Sequence, residues 1–214
     1  MALKKAGVVI VGCGPGAAEY LTPVGYAAIQ NADVLVGAPR LLEAFPSAAA
    51  LKISFGTDIV AMLEKVSACA YDKNVVVLVT GDPGISSLAR QVIDRFGREN
   101  CRVIPGISSV QTAFARIAVD WQDARIISAH GRIPEILPGS LSGHEKIAVL
   151  AGGNAARSWI CSLAAALGDS HEIFICSNLT LSNERVERVG ASALESVPLP
   201  SRTIVLFIDR GCLS

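Results

Sequence analysis

The sequence predicts an α/β protein with two α/β domains: a parallel-sheet N-terminal domain and a mixed-sheet C-terminal domain. Three observations predict it. The first half alternates short β-branched runs with helical apolar spacing, the pattern of strand–helix–strand units. One run, Val75–Val79, is apolar at every position, as in a strand covered on both faces. Three glycine-bearing turns each follow a strand-like run: Gly12-Cys13-Gly14-Pro15-Gly16, Gly81-Asp82-Pro83 and Pro105-Gly106-Ile107-Ser108-Ser109. That places all three at the C-terminal edge of one sheet, where open α/β sheets bind small ligands.

The elements follow in order. Val8–Val11 is a short β-branched strand, and Leu21 to Asn31 has helical apolar spacing. Val34–Val36 is a strand, and Pro39-Arg40-Leu41-Leu42 opens a short helix with proline near its start. Asp58 to Ala70 reads as a helix with apolar residues at 59, 60, 62, 63 and 66. After the strand 75–79 come a helix from Leu88 to Phe96, a strand Arg102–Ile104 and a helix from Val110 to Ile117. A break at Ala118 to Asp123 separates a first domain, 1–118, from a second, 123–214. Beyond it Arg125–Ser128 and Ile147–Leu150 are strands, and Ala155 to Leu167 is a helix ended by Gly168. Glu172–Cys176, Glu184–Val189 and Thr203–Ile208 are strands with little helix between them, which predicts a mixed or partly antiparallel sheet. Ile133–His144, with two prolines and two glycines, reads as a surface excursion.

Composition narrows the function. The chain has 214 residues, 51% apolar and 18% charged, which describes an ordered globular protein with ample core. Nineteen basic and nineteen acidic residues balance, and no basic run appears, so nucleic acid is not the expected partner. The six cysteines lie at 13, 69, 101, 161, 176 and 212, with no metal-knuckle spacing. They read as free thiols of a reducing cytoplasm. Lys4-Lys5 and the stretch from Ala6 to Val11 imitate a signal peptide briefly, but the apolar run is short and enters glycines, so a first strand fits it. No run of eighteen apolar residues is present to span a membrane.

Each turn carries a local reading beside a functional one. Gly12-x-Gly-x-Gly16 is close to a dinucleotide fingerprint, yet Asp33 precedes its strand where the ribose-binding acid should follow it, and Pro15 removes a backbone donor. A tight turn and a site for a different ligand remain. In Gly81-Asp82-Pro83-Gly84-Ile85, Asp82 is a candidate helix cap, with Ser86 and Ser87 as competitors. The functional reading is that exposed backbone grips a polar, non-phosphate ligand. Ser108 and Ser109 supply one cap and one hydroxyl to spare. His130, in Ser128-Ala129-His130-Gly131-Arg132, is either structural or functional, and Arg132 suits bidentate binding of a carboxylate. Ala151-Gly152-Gly153-Asn154 is either an ordinary strand-to-helix turn capped by Asn154 or a place of close ligand approach. Hydrolase, zinc-protease and P-loop signatures do not occur.

Together these residues resemble the tetrapyrrole methylases, the class III S-adenosylmethionine-dependent methyltransferases. The matching segments are Gly12-Cys13-Gly14-Pro15-Gly16 with Leu21-Thr22, Asn31-Ala32-Asp33-Val34-Leu35-Val36-Gly37, Gly81-Asp82-Pro83 and Pro105-Gly106-Ile107-Ser108-Ser109. The resemblance spans essentially the whole chain. Ser128-Ala129-His130-Gly131-Arg132 and Leu179-Thr180-Leu181-Ser182-Asn183-Glu184-Arg185-Val186 resemble the branch that methylates carbon 5 of precorrin-7 or cobalt-precorrin-7, the carbon-5 component of precorrin-6Y methylase. One departure is Ala17, where many members carry an acid after Gly-Pro-Gly; Glu19 is a possible substitute. No residues are left for a second domain acting at carbon 15.

The resemblance implies S-adenosylmethionine in the cleft between the two halves. Pro15, Gly81, Asp82, Pro83, Ile85, Ser108 and Ser109 would form the cofactor site on the first half, and Ala151 and Leu179 would contact it from the second. Main chain of loop 81–85 would hold the methionine end, and apolar side chains and backbone of the second half the adenine. The implied substrate is a corrinoid tetrapyrrole with many carboxylates, for which Arg40, Arg116 and Arg132 are candidate partners. His130 is the candidate base. Any cobalt would arrive within the substrate. A homodimer is implied, as is a separate carbon-15 methyltransferase/decarboxylase acting with it. Rival readings are a related methylase of the diphthine synthase or ribosomal RNA type, the latter disfavoured by neutral charge, and a non-catalytic nucleotide-binding α/β protein, which would need a phosphate-gripping loop.

Overall fold

A computed structural model describes residues 7–213, apart from Ser47, Gly153 and the side chain of Asn154. Lys4, Lys5 and Ala6 lie outside the described residues, as do Gly153 and the capping side chain proposed for Asn154. The chain divides into two compact units, Met1–Ser108 and Ser109–Ser214.

The first unit is a five-stranded parallel sheet in the order β3-β2-β4-β1-β5. Its strands are β1 (Val8–Gly12), β2 (Val34–Gly37), β3 (Leu51–Ser54), β4 (Val75–Val79) and β5 (Cys101–Ile104). Alternation along each central strand divides the core in two. Val9, Val11, Leu35, Val76 and Leu78 pack with α1 (Pro23–Gln30) and α2 (Pro39–Glu43) on one face. Val8, Ile10, Val34, Val36, Val75 and Val77 pack with α3 (Ile59–Cys69) and α4 (Ala89–Phe96) on the other. The chain therefore leaves β1 toward one face and β4, its neighbour, toward the other. That reversal opens a crevice at the C-terminal ends of two adjacent strands.

Local chemistry sets the helix ends. Thr22 caps α1, its Oγ1 accepting from Gly25 N at 3.1 Å, with Pro23 at the first helical position. Asp58 caps α3 by accepting from Ala61 N at 3.0 Å. Strand β3 is absent from the sequence reading. It is a sheet edge with Leu51 58% exposed, so it lacks the apolar run that marks its neighbours.

The second unit is a mixed sheet in the order β6-β7-β10-β8-β9. Its strands are β6 (Arg125–Ser128), β7 (Lys146–Leu150), β8 (His171–Ser177), β9 (Arg185–Val189) and β10 (Thr203–Asp209). Only β6 and β7 pair in parallel; the other ladders are antiparallel. One face packs on α6 (Arg157–Leu167) through Trp159, Ile160, Leu163 and Leu167. The opposite face packs on α5 (Ser109–Arg116) through Val110, Ala113 and Phe114. This explains why the division falls after Ser108 rather than at 118–123. The apolar side of α5 has its burial against Leu206 and Ile208 of β10, so the helix belongs to the second core. The 118–123 break is the link from α5 to β6, with Ala118 and Asp123 in left-handed backbone.

The segment 133–144 is mostly exposed, as a surface excursion would be, but it is anchored at two points. Leu141 is buried in the core, and Trp159 Nε1 donates to Ile136 O at 2.8 Å. A parallel pair needs a long crossover, and this one is held down by those contacts where a helix would usually serve.

Phe114→Ala tests the placement of α5. The ring is fully buried, so its removal is expected to cost about 3–5 kcal/mol, read as a lowered urea midpoint with the secondary structure retained.

Candidate functional site

The three glycine turns predicted for one sheet edge meet there. The loop leaving β1 is stitched to the loop leaving β4: Cys13 N donates to Val79 O at 2.8 Å, Gly14 N to Gly81 O at 3.3 Å and Gly81 N to Gly14 O at 2.8 Å. The loop leaving β5 joins through Asp82. Its Oδ2 accepts from Gly106 N at 3.1 Å and its Oδ1 from Gly84 N at 2.7 Å. No side chain fits between these backbones. A Cβ on Gly106 would lie 2.5 Å from Gly81 O, and one on Gly12 would lie 2.6 Å from Gly106 N. Glycine at 12 and 106 is thus required by close approach of three loops.

This geometry corrects the reading of Asp82 as a helix cap. Its carboxylate serves Gly84 and Gly106, and the start of α4 is served by Ser87, whose Oγ accepts from Ala89 N at 3.0 Å and donates to Pro83 O at 2.6 Å. Pro15 and Pro83 are buried, and Ile85 is half-buried beside Ser86, which is left-handed at φ 46°. Ser108 is buried at the end of this unit, and Ser109 is the first residue of α5. Burial pushes the Cys13 thiol up to about 12, against smaller lowering effects from the Val79 backbone and Arg40, so the cysteine within the first loop is an inert wall. Asp33 lies at the opposite end of the sheet, accepting from Asn74 N at 2.7 Å, and is out of reach of any ligand at the glycine turns.

Arg40 extends from α2 to Thr80, its Nη2 donating to Thr80 Oγ1 at 2.5 Å. Thr80 and Ser86 line a cavity of about 190 Å³ whose floor is Ala38, Leu41 and Leu78. Thr80 was not singled out from the sequence; its position just past β4 was the available signal.

In the second unit the paired ends of β6 and β7 carry the other motifs. Ala129 N donates to Leu150 O at 3.0 Å, and Ala151 N donates to Thr203 O at 2.9 Å. His130 and Gly152 follow these anchors and meet. A Cβ on Gly152 would lie 1.8 Å from His130 Nδ1, and Gly152 is left-handed at φ 46°. Of the two readings of this turn, an ordinary strand-to-helix turn or a place of close ligand approach, the second meets an obstacle at Gly152, where the space is taken by the imidazole. His130 and Arg132 are themselves exposed. The side chains of Ala151 and Leu179 are buried in the unit's core, leaving their backbone as what they can offer.

Arg116 is committed elsewhere. Its Nε donates to Glu184 Oε1 at 2.6 Å and its Nη2 to Glu184 Oε2 at 3.1 Å. The guanidinium, and next the Thr180 N–H, hold the Glu184 carboxyl below its ordinary value against the opposing effect of burial. Glu184 stands in the motif quoted above, but nothing local marks it for a role, because its partner lies in a distant helix.

With this geometry in view, the comparisons decide the family. The model for Tetrapyrrole (Corrin/Porphyrin) Methylases matches residues 7–195. The chain belongs to the tetrapyrrole methylases. Among this methylase's relatives, the cobalt-precorrin-7 C(5)-methyltransferase of Salmonella typhimurium is 34% identical over 188 residues, covering 87% of this chain and 92% of the relative. A crystal structure of a cobalamin biosynthesis precorrin-6Y methylase from Archaeoglobus fulgidus is 25% identical, with a TM-score of 0.67 over 95% of this chain and 97% of that one. The uroporphyrin-III C-methyl transferase of Thermus thermophilus, complexed with S-adenyl homocysteine, shares the fold at a TM-score of 0.77 and 19% identity, covering 94% of this chain and 91% of that one.

Gly106→Ala is expected to destabilise the methylase by about 1–3 kcal/mol, since backbone on both sides must yield. Gly139→Ala, where a Cβ meets nothing within 4 Å, is the control and should change stability by less than about 0.5 kcal/mol. Paired urea titrations measure both.

Proposed function

We propose that this tetrapyrrole methylase transfers a methyl group from S-adenosylmethionine to carbon 5 of precorrin-7 or cobalt-precorrin-7 in cobalamin biosynthesis. The observation that carries the reading is the knot of loops 12–16, 81–85 and 105–109. Its three backbones approach closely, Pro15 and Pro83 withhold two backbone donors, it holds the carboxylate of Asp82, and the three loops contain no Lys or Arg. Such a site suits a cationic sulfonium with a polar amino-acid end and is poorly suited to a phosphate, because the prolines withhold backbone donors and the Asp82 carboxylate repels an anion. That distinguishes it from a nucleotide-phosphate site. The name of the relative in Salmonella typhimurium supports the carbon-5 assignment, that of the Archaeoglobus fulgidus structure supports methylation within cobalamin biosynthesis, and the ligand of the Thermus thermophilus structure supports the cofactor.

S-adenosylmethionine, when bound, supplies a methyl group already activated by its sulfonium. The residues of the chain bind, align and exclude water. Main chain of loop 81–85 would hold the methionine end, with Pro15, Pro83, Ile85, Ser108 and Ser109 around it. Backbone at Ala151 and Leu179 would serve the adenosine. Arg132, exposed beside His130, and Arg40, with the Thr80 cavity next to it, would bind carboxylates of the macrocycle. Arg116, engaged by Glu184, drops out of that set. His130 would take the proton that leaves carbon 5. The reaction leaves carbon 15 to a separate methyltransferase/decarboxylase. The six free thiols fit a cytoplasmic enzyme, and the family resemblance supports a homodimer.

Titration calorimetry with S-adenosylhomocysteine tests the cofactor site. Micromolar binding by the wild type that is lost in Ser109→Trp is expected; a folded wild type that does not bind overturns the reading. Activity tests the histidine. His130→Ala should lower kcat by roughly 10²–10⁴-fold. Gly152→Ala, which displaces the ring without removing it, should give a smaller loss in the same direction. A His130→Ala enzyme with unchanged kcat removes the base assignment.

A further inference from the structure

The turn after β8 places two residues with side chains in left-handed backbone, Asn178 at φ 52° and Thr180 at φ 68°, on either side of Leu179. A β-branched residue there is an outlier. Such conformations persist only where their surroundings over-determine them, and they concentrate at ligand clamps and switch regions. The surroundings here are specific. Asn178 N donates to Arg202 O and Leu181 N to Asn178 O, both at 3.0 Å. Thr180 N donates to Glu184 Oε2. Glu184 is in turn gripped by Arg116 at both carboxylate oxygens, with side-chain exposures of 33% for Arg116 and 23% for Glu184. The side chain of Leu179 is sunk in the core beneath the turn, and Asn178 and Asn183 line an adjoining cavity of about 250 Å³.

We propose that Glu184, locked by Arg116, is a positioning residue: it holds Thr180 left-handed and so presents the Asn178–Thr180 backbone to the adenosyl part of S-adenosylmethionine. This rests on the cofactor reading above and assigns Arg116 to the cofactor side of the site in place of the substrate side. A carboxylate suits the task because it accepts two guanidinium donors and the Thr180 amide together. The bidentate grip fixes the direction in which the accepting oxygen points. Without that oxygen, Thr180 loses a partner for its N–H and returns toward backbone that a β-branched residue prefers.

Calorimetry with S-adenosylhomocysteine on wild type and variants tests this. Glu184→Ala is expected to weaken binding roughly tenfold or more. Glu184→Gln, whose amide oxygen still accepts from Thr180, should recover most of that loss. The decisive variant is Thr180→Gly placed in the Glu184→Ala background. Glycine takes the left-handed conformation without help, so affinity should return to within about threefold of wild type. In turnover assays the loss in Glu184→Ala should appear in KM for S-adenosylmethionine with kcat largely kept. If folded Glu184→Ala binds as tightly as wild type, the proposal is overturned. It is also overturned if the weakened binding is not rescued by Thr180→Gly, since the defect is then one of packing. Should Glu184→Ala fail to fold, Arg116→Gln carries the test: weaker binding supports the proposal and unchanged binding overturns it. A wild type that fails to bind overturns the cofactor reading, and this proposal with it, before any variant is compared.

Discussion

The first unit depends on the approach of three backbones at one point. Gly12, Gly81 and Gly106 come so close that a methyl group on the first or third would collide with main chain. Asp82 ties the assembly by bonding an amide of its own turn and one of the next loop. The sheet beneath makes this possible. Adjacent parallel strands β4, β1 and β5 end side by side, which brings the loops that leave them into contact at one sheet edge. The same constraint limits chemistry. Pro15 and Pro83 remove backbone donors from these loops, and the Asp82 carboxylate fixes a negative charge at their junction, both of which disfavour a phosphate.

The second unit solves a similar problem with different means. Only β6 and β7 run parallel, and their C-terminal ends carry His130 and Gly152 in direct contact. Further along, β8 ends in the Asn178–Thr180 turn. There strain is held by a carboxylate and a guanidinium, where glycine would have avoided it. Conformations of this kind cost of order 1–3 kcal/mol each, a cost glycine would not carry. Thr180 sits in backbone whose direction is set by a tertiary partner, the Glu184 carboxylate.

Much of this was legible in the sequence, for physical reasons that also explain the exceptions. Val75–Val79 announced itself because a strand buried on both faces has no polar position. The three glycine turns were found because close approach leaves only one residue type possible. Edge strand β3 was missed because Leu51-Lys52-Ile53-Ser54 is half solvent-facing and carries no run. The domain division was placed at 118–123 because turn-forming residues gather there. Local punctuation does not reveal which core a helix face enters, and Phe114 decides that by packing on β10.

The charged residues show where sequence reasoning ends. Arg40, Arg116 and Arg132 were all candidates for binding an acidic macrocycle, with Arg132 favoured because of its motif. Folding separates them. Arg132 stays exposed beside His130, Arg40 reaches a hydroxyl in a cavity wall, and Arg116 is taken up by Glu184. Asp82 and Glu184 were separated in the same way, one becoming a link between loops and the other the anchor of a turn. A guanidinium within reach of a carboxylate fixed in the fold is already half neutralised, so its attraction for a mobile substrate carboxylate is weakened before the substrate arrives. Arg40, by contrast, bonds a neutral hydroxyl, that of Thr80.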